Sequence, residues 1–141
     1  NNDAGTNAGG SGPAGPHGSI YDYLLERNYT VTDNNDESAF EYALCYKCHQ
    51  QSIVLSSRSF SLHRLHVVDE RTPCSACHDP HGVSTTVGIG SDHTHLINFD
   101  TVIVRPETST GRLEFRDAGT FSGSCTLTCH GVDHVDRSYQ P

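Results

Sequence analysis

The sequence predicts a mostly irregular fold with a few short α-helices and one β-hairpin, built around bound groups instead of a side-chain core. Three observations point there. Of 141 residues only 34% are hydrophobic, Trp is absent, and the chain carries 13 Gly and 6 Pro. No long periodic apolar run is present. All six cysteines fall into three short motifs, each closed by a histidine. A chain so poor in core residues has little with which to offset its conformational entropy. The expectation is one domain, residues 19–141, preceded by a low-complexity arm over residues 1–18 that holds six glycines.

The elements follow in order. Residues 20–28 suggest a short helix through Tyr21, Leu24 and Leu25. Residues 36–50 are the strongest helical stretch, with Asp36 as the expected cap and Phe40, Ala43 and Leu44 leading into the first cysteine motif. Residues 59–68 suggest another short helix, whose spacing of three sets His63 and His66 on one face. Residues 69–95 read as irregular. Thr101-Val102-Ile103-Val104 and Arg112-Leu113-Glu114-Phe115 flank a polar turn, residues 106–111, and give the hairpin signal. Leu24, Phe40, Leu44, Phe60 and Phe99 read as packing residues, and amphipathic packing is also the reading for the six tyrosines.

The cysteine motifs are Cys45-Tyr46-Lys47-Cys48-His49, Cys74-Ser75-Ala76-Cys77-His78 and Cys125-Thr126-Leu127-Thr128-Cys129-His130. C-x-x-C-H is the c-type haem attachment pattern: two thiols a turn apart form thioethers to the haem vinyls, and the adjacent imidazole reaches the iron. The third motif has one extra residue between its thiols. Cys45, Cys48, Cys74, Cys77, Cys125 and Cys129 are thus expected to attach three haems, with His49, His78 and His130 as the proximal ligands. Structural zinc would use two cysteine pairs about 15–20 residues apart. Here 25 residues lie between Cys48 and Cys74, and three histidines would go unexplained. A disulfide framework leaves the same histidines unexplained. Haems would also substitute for the missing core, so the haem-free chain is expected to be largely disordered.

The formal charge of −8, from 9 basic and 17 acidic residues, argues against nucleic acid or anionic membranes as partners. No stretch is long enough to span a bilayer. Asn1 in place of an initiating Met suits a processed, exported product. The expected location is therefore the periplasm or the cell exterior.

The second axial ligands follow by elimination. The sequence has no Met, so histidine is the expected sixth ligand, and methionine's absence predicts low reduction potentials. Beyond the three proximal histidines, His17, His63, His66, His81, His93, His95 and His134 remain. His17 lies in a Gly-Pro-His-Gly turn of the arm; an iron bond there, or packing on a neighbouring subunit, would order that segment. Between His63 and His66, His66 is favoured as nearer to Cys74, the other being left to a propionate or solvent. His81 sits in a turn that could swing it onto a second haem. His95, leading into Leu96 and Ile97, is favoured over His93. His134 reads as a surface histidine.

These residues carry a family resemblance. Gly15-Pro16-His17-Gly18-Ser19, Leu44 through His49, His63-Arg64-Leu65-His66-Val67, Cys74 through Gly82, His95 through Asp100 and Cys125 through Gly131 resemble the bacterial multihaem c-type cytochromes. The likeness spans about residues 13–134. It implies electron transfer outside the cytoplasm, with redox proteins or copies of the chain itself as partners, since some such cytochromes polymerise into extracellular filaments. It also strengthens His17, His66, His81 and His95 as distal ligands, one more than three irons require. Two function classes are in view. An electron conduit needs close, permanently held redox centres. The alternative, a multihaem reductase, needs an open sixth site; with histidines in excess and no C-x-x-C-K variant, none is signalled, and no enzyme is expected.

Overall fold

A computed structural model describes residues 19, 21–56, 58–83 and 94–141. Its regular elements are few: the helical turns α1 (Ala43–Tyr46) and α2 (Gln51–Val54), and the strands β1 (Glu114–Asp117), β2 (Gly123–Cys129) and β3 (Val132–Tyr139). The strands form one antiparallel sheet in the order β1-β2-β3. The mostly irregular reading therefore holds, with a three-stranded sheet in place of a single hairpin.

The sheet lies C-terminal to the expected hairpin. Thr101, Val102 and Ile103 form a turn in which Ile103 and Val104 both donate backbone hydrogen bonds to the Asp100 carbonyl, at 3.0 and 2.8 Å. Of the expected second strand, only Glu114 and Phe115 enter β1. The loop between them closes as predicted, around the buried Glu107. Its carboxylate accepts from the side chains of Ser109 and Thr110 (the Thr110 hydroxyl at 2.5 Å) and from their amides at 2.6 and 2.9 Å, which together hold it at about 2, well below its ordinary 4.5.

Two hairpins build the sheet from local signals. Between β2 and β3 the turn is His130-Gly131, with φ of 49° and 76°, closed by the Cys129–Val132 pair. Two consecutive left-handed residues are what a two-residue hairpin turn requires, and Gly131 supplies one without steric cost. Gly123 at the start of β2 is held to glycine by close approach: a Cβ there would lie 2.7 Å from the Arg116 carbonyl oxygen. A register shift between Cys125 and Leu127 interrupts the β2–β3 ladder.

The core is small. Ala76, Ile97, Phe99, Val104, Phe115 and Leu127 form it, with Cys77, Cys125, Cys129, Ile103, Leu113 and Tyr139 packed around them. Of the expected packing residues, Phe99 is buried, whereas Phe40 and Leu24 are about three-fifths exposed (61% and 62%).

The N-terminal helices are shorter than expected. Residues 22–24 form a single turn in which Tyr23 and Leu24 both adopt φ of 59°. In place of one helix over residues 36–50, α1 and α2 are separated, and Gln50, extended at ψ 114°, breaks between them. Asp36 does not cap a helix: α1 starts after Tyr42 without a side-chain cap, Asp36 pairs with Arg71 at 2.9 Å, and the Ser38 hydroxyl accepts the Glu41 amide at 3.1 Å in the turn before α1. The expected helix over residues 59–68 becomes a wide π-type turn, Leu65–Asp69, in which the Glu70 amide reaches back five residues to the Leu65 carbonyl at 2.9 Å.

Candidate haem-attachment sites

The first two motifs close helical turns. In the first, the amides of Cys48 and His49 both donate to the Cys45 carbonyl, at 3.2 and 3.0 Å. In the second, Cys77 and His78 donate to the Cys74 carbonyl at 3.3 and 2.9 Å, with extended Pro73 (ψ 152°) delivering the chain into the turn. A spacing of three in a helical turn brings Cβ atoms to about 5–6 Å. Both thiol pairs therefore share the same short spacing, the spacing that double thioether attachment would require. All six cysteines are free thiols.

His78 is held through one ring nitrogen. Its Nδ1 lies 2.8 Å from the backbone carbonyl of His95. Donating there fixes the tautomer and leaves Nε2 as the electron-pair donor, the usual arrangement of a ligating imidazole. The 94–100 segment clamps this motif: Asp79 donates to Leu96, Asn98 to Cys77 and Asp100 to Ala76, at 2.9, 2.9 and 3.0 Å. His95 and Leu96 hold φ of 58° and 59°, a conformation that is costly for a bulky residue such as Leu. His49, by contrast, is exposed, with Cys48 exposed beside it.

The third motif is different. Cys125, Leu127 and Cys129 lie along β2, and all three pack on the core. Four residue steps along the strand carry the two Cα atoms about 13 Å apart, more than double the helical spacing. His130 occupies the hairpin turn, and its Nε2 meets both carboxylate oxygens of Asp33 at 3.0 Å. The residues of the first two motifs fit covalent haem; those of the third do not in this conformation.

Thiol chemistry does not follow that division, since the second and third motifs are both shifted upward. The Cys45 and Cys74 thiols hydrogen-bond one another, which lowers Cys45 and raises Cys74. Burial pushes Cys125 up to about 11 and Cys77 to about 12, with the neighbouring Cys125 and Cys129 adding to the rise at Cys77. Cys129 moves up for the same first reason. No group of three or more His, Cys, Asp or Glu side chains suited to a metal ion occurs among the described residues.

The other histidines fall into distinct settings. Phe60 sits between His63, edge-on at 5.1 Å, and His66, stacked at 5.7 Å, so the expected common face is formed. The His63 ring lies 6.2 Å from that of His78, and the His66 ring 6.4 Å from that of His134 (centroid to centroid). The Nδ1 atoms of His66 and His134 face backbone carbonyls, of Leu62 at 2.9 Å and of Val132 at 3.1 Å. Burial lowers His63 to about 4, with His78 and His66 adding to the effect, and moves His66 and His78 down as well. These rings are neutral near pH 7. His81 is exposed, 3.2 Å from Asp79, and His95 is exposed, 3.9 Å from Asp117. His17 and His93 lie outside the described residues, as does the 1–18 arm.

One residue of this region was missed in the sequence: nothing local marks Asp33 as the partner of His130, 97 positions away. His63 and His66 carry the same spacing signal, and only tertiary packing separates their neighbours.

No family model, curated protein or solved structure matches the chain. No helix among the described residues is long and apolar enough to cross a membrane.

Proposed function

We propose that the chain is an electron-transfer protein carrying covalently attached c-type haems, acting in the periplasm or outside the cell as a multihaem cytochrome. The observation that carries this reading is the second motif: a closed helical turn presents Cys74 and Cys77, and His78 is turned by the His95 carbonyl to offer Nε2. Bound haem would supply reversible one-electron chemistry at iron, and the protein would supply orientation and tuning of potential. Cys45, Cys48 and His49 would hold one haem, and Cys74, Cys77 and His78 a second. Attachment at Cys125 and Cys129, with His130 as ligand, requires β2 to leave its extended form. The exposed Phe40, Leu24, Tyr23 and Val102 are large apolar side chains of the kind that cover a flat apolar group.

Polymerisation into a filament, with self-copies or other redox proteins as partners, remains part of this proposal and rests on the resemblance alone. The test of function is spectroscopic. Chain matured in a host that attaches haem should show low-spin haem that is reducible and reoxidisable without binding carbon monoxide. A carbon-monoxide-reactive, high-spin haem in the native protein would favour the reductase instead.

A further inference from the structure

The haem reading leaves open which histidine completes the iron held by the clamped second motif. Metal–imidazole bonds are about 2.0–2.1 Å, and a ring nitrogen lies about 1.2 Å from its ring centre, so two imidazoles on opposite sides of one ion have centroids about 6.4 Å apart. The His63 and His78 rings stand 6.2 Å apart, tilted by 45°. Trans ligands place no condition on their mutual twist. The His78 Nδ1 is engaged by the His95 carbonyl at 2.8 Å, and the His63 Nδ1 faces the Ser59 hydroxyl at 3.4 Å. The His78 ring thus keeps Nε2 for the metal; the His63 ring also hydrogen-bonds the Val54 backbone. Among the sequence candidates, His81 and His95 are exposed beside carboxylates, and the ring paired with His66 is that of His134.

We propose that His63 and His78 are the two axial ligands of a single haem iron. The assignment rests on the haem reading and departs from the sequence expectation, which favoured His66. The π-type turn Leu65–Asp69 and Phe60 act as positioning elements for His63, and residues 94–100 do the same for His78.

Two packed neutral rings could reach the same separation without a metal, so the test must read the iron. Wild type and His63→Ala are matured with covalent haem, counted by pyridine haemochrome and mass, and compared by optical and electron paramagnetic resonance spectra. The expected result is an unchanged haem count with one haem per chain converted from low-spin to high-spin and newly able to bind carbon monoxide. Added imidazole should restore the low-spin spectrum. His63→Met, which keeps a ligand in place, should give a sulfur-to-iron charge-transfer band and raise the potential of one haem; it decides the matter if His63→Ala does not accumulate. On a background lacking the first motif (Cys45→Ser with Cys48→Ser), His63→Ala should still create the high-spin haem. On one lacking the second (Cys74→Ser with Cys77→Ser), it should create none. Haem-loaded His63→Ala that stays wholly low-spin, or His63→Met without the sulfur band, overturns the pairing and leaves the haem reading standing. A wild-type chain that acquires no covalent haem overturns both.

Discussion

In residues 74–78 two residues separate the thiols and the chain closes a turn; in residues 125–130 three separate them and the chain runs extended. Pro73 enters the first segment in an extended conformation and cannot prolong a preceding helix, so the turn starts cleanly at Cys74. The second segment alternates Thr126 and Thr128 with Cys125, Leu127 and Cys129, a period-two pattern with β-branched residues, and ends in His130-Gly131. That is strand followed by hairpin turn. One inserted residue changes which local preference wins. On the proposed reading a cysteine–histidine motif can take haem only where the backbone between its thiols closes, and sheet pairing competes with that closure. The contrast extends to chemistry: the second motif's histidine is engaged through Nδ1 by a backbone carbonyl, while the third's is engaged through Nε2 by the Asp33 carboxylate.

The largest effect expected from this contrast is in the order of haem loading. Under limiting haem, peptide mapping by mass spectrometry should find haem on the peptides of residues 45–49 and 74–78 well before residues 125–130. Equal early loading of the third peptide would break the comparison. A second test loosens the clamp. Ile97 is buried at 8% exposure beside the second motif, and Ile97→Ala should cost about 2–5 kcal/mol in denaturant unfolding while broadening the optical signature of one haem. A third sharpens the other side: Asp33→Ala releases His130 and should raise the fraction of chains carrying a third haem several-fold, as read by intact mass.

The smallest effect concerns pH. Glu107 and Glu114 both fall from 4.5 to about 2, Glu107 through bonds from Ser109 and Thr110, Glu114 through Arg116 and Arg112. A depressed carboxylate stabilises the fold fully above its unfolded value and loses that contribution as pH falls through its folded value. Hydrogen-exchange protection around residues 107–117 should therefore hold down to pH 4.5 and fade toward pH 2. Fading that begins above pH 5 would contradict the assignment.

Much of the organisation is legible in the sequence because it depends on neighbours. The C-x-x-C-H turns, the loop around Glu107 and the short helical segments all follow from residues a few positions apart. The expected strand at Thr101-Val102-Ile103-Val104 has strand composition, yet Asp100 captures the amides of Val102, Ile103 and Val104 into a turn. In residues 125–130 the haem motif and the strand pattern are written in the same letters, and only pairing with β1 and β3 decides between them. The ring pairs His63–His78 and His66–His134 depend on contacts between segments distant in sequence, which spacing does not encode.

The most direct test of the central claim is the intact mass and tryptic map of the chain matured in a host that attaches haem to C-x-x-C-H motifs. The account predicts covalent haem on both helical motifs, at Cys45 with Cys48 and at Cys74 with Cys77. A mature chain whose cysteines at both motifs remain free thiols would contradict it.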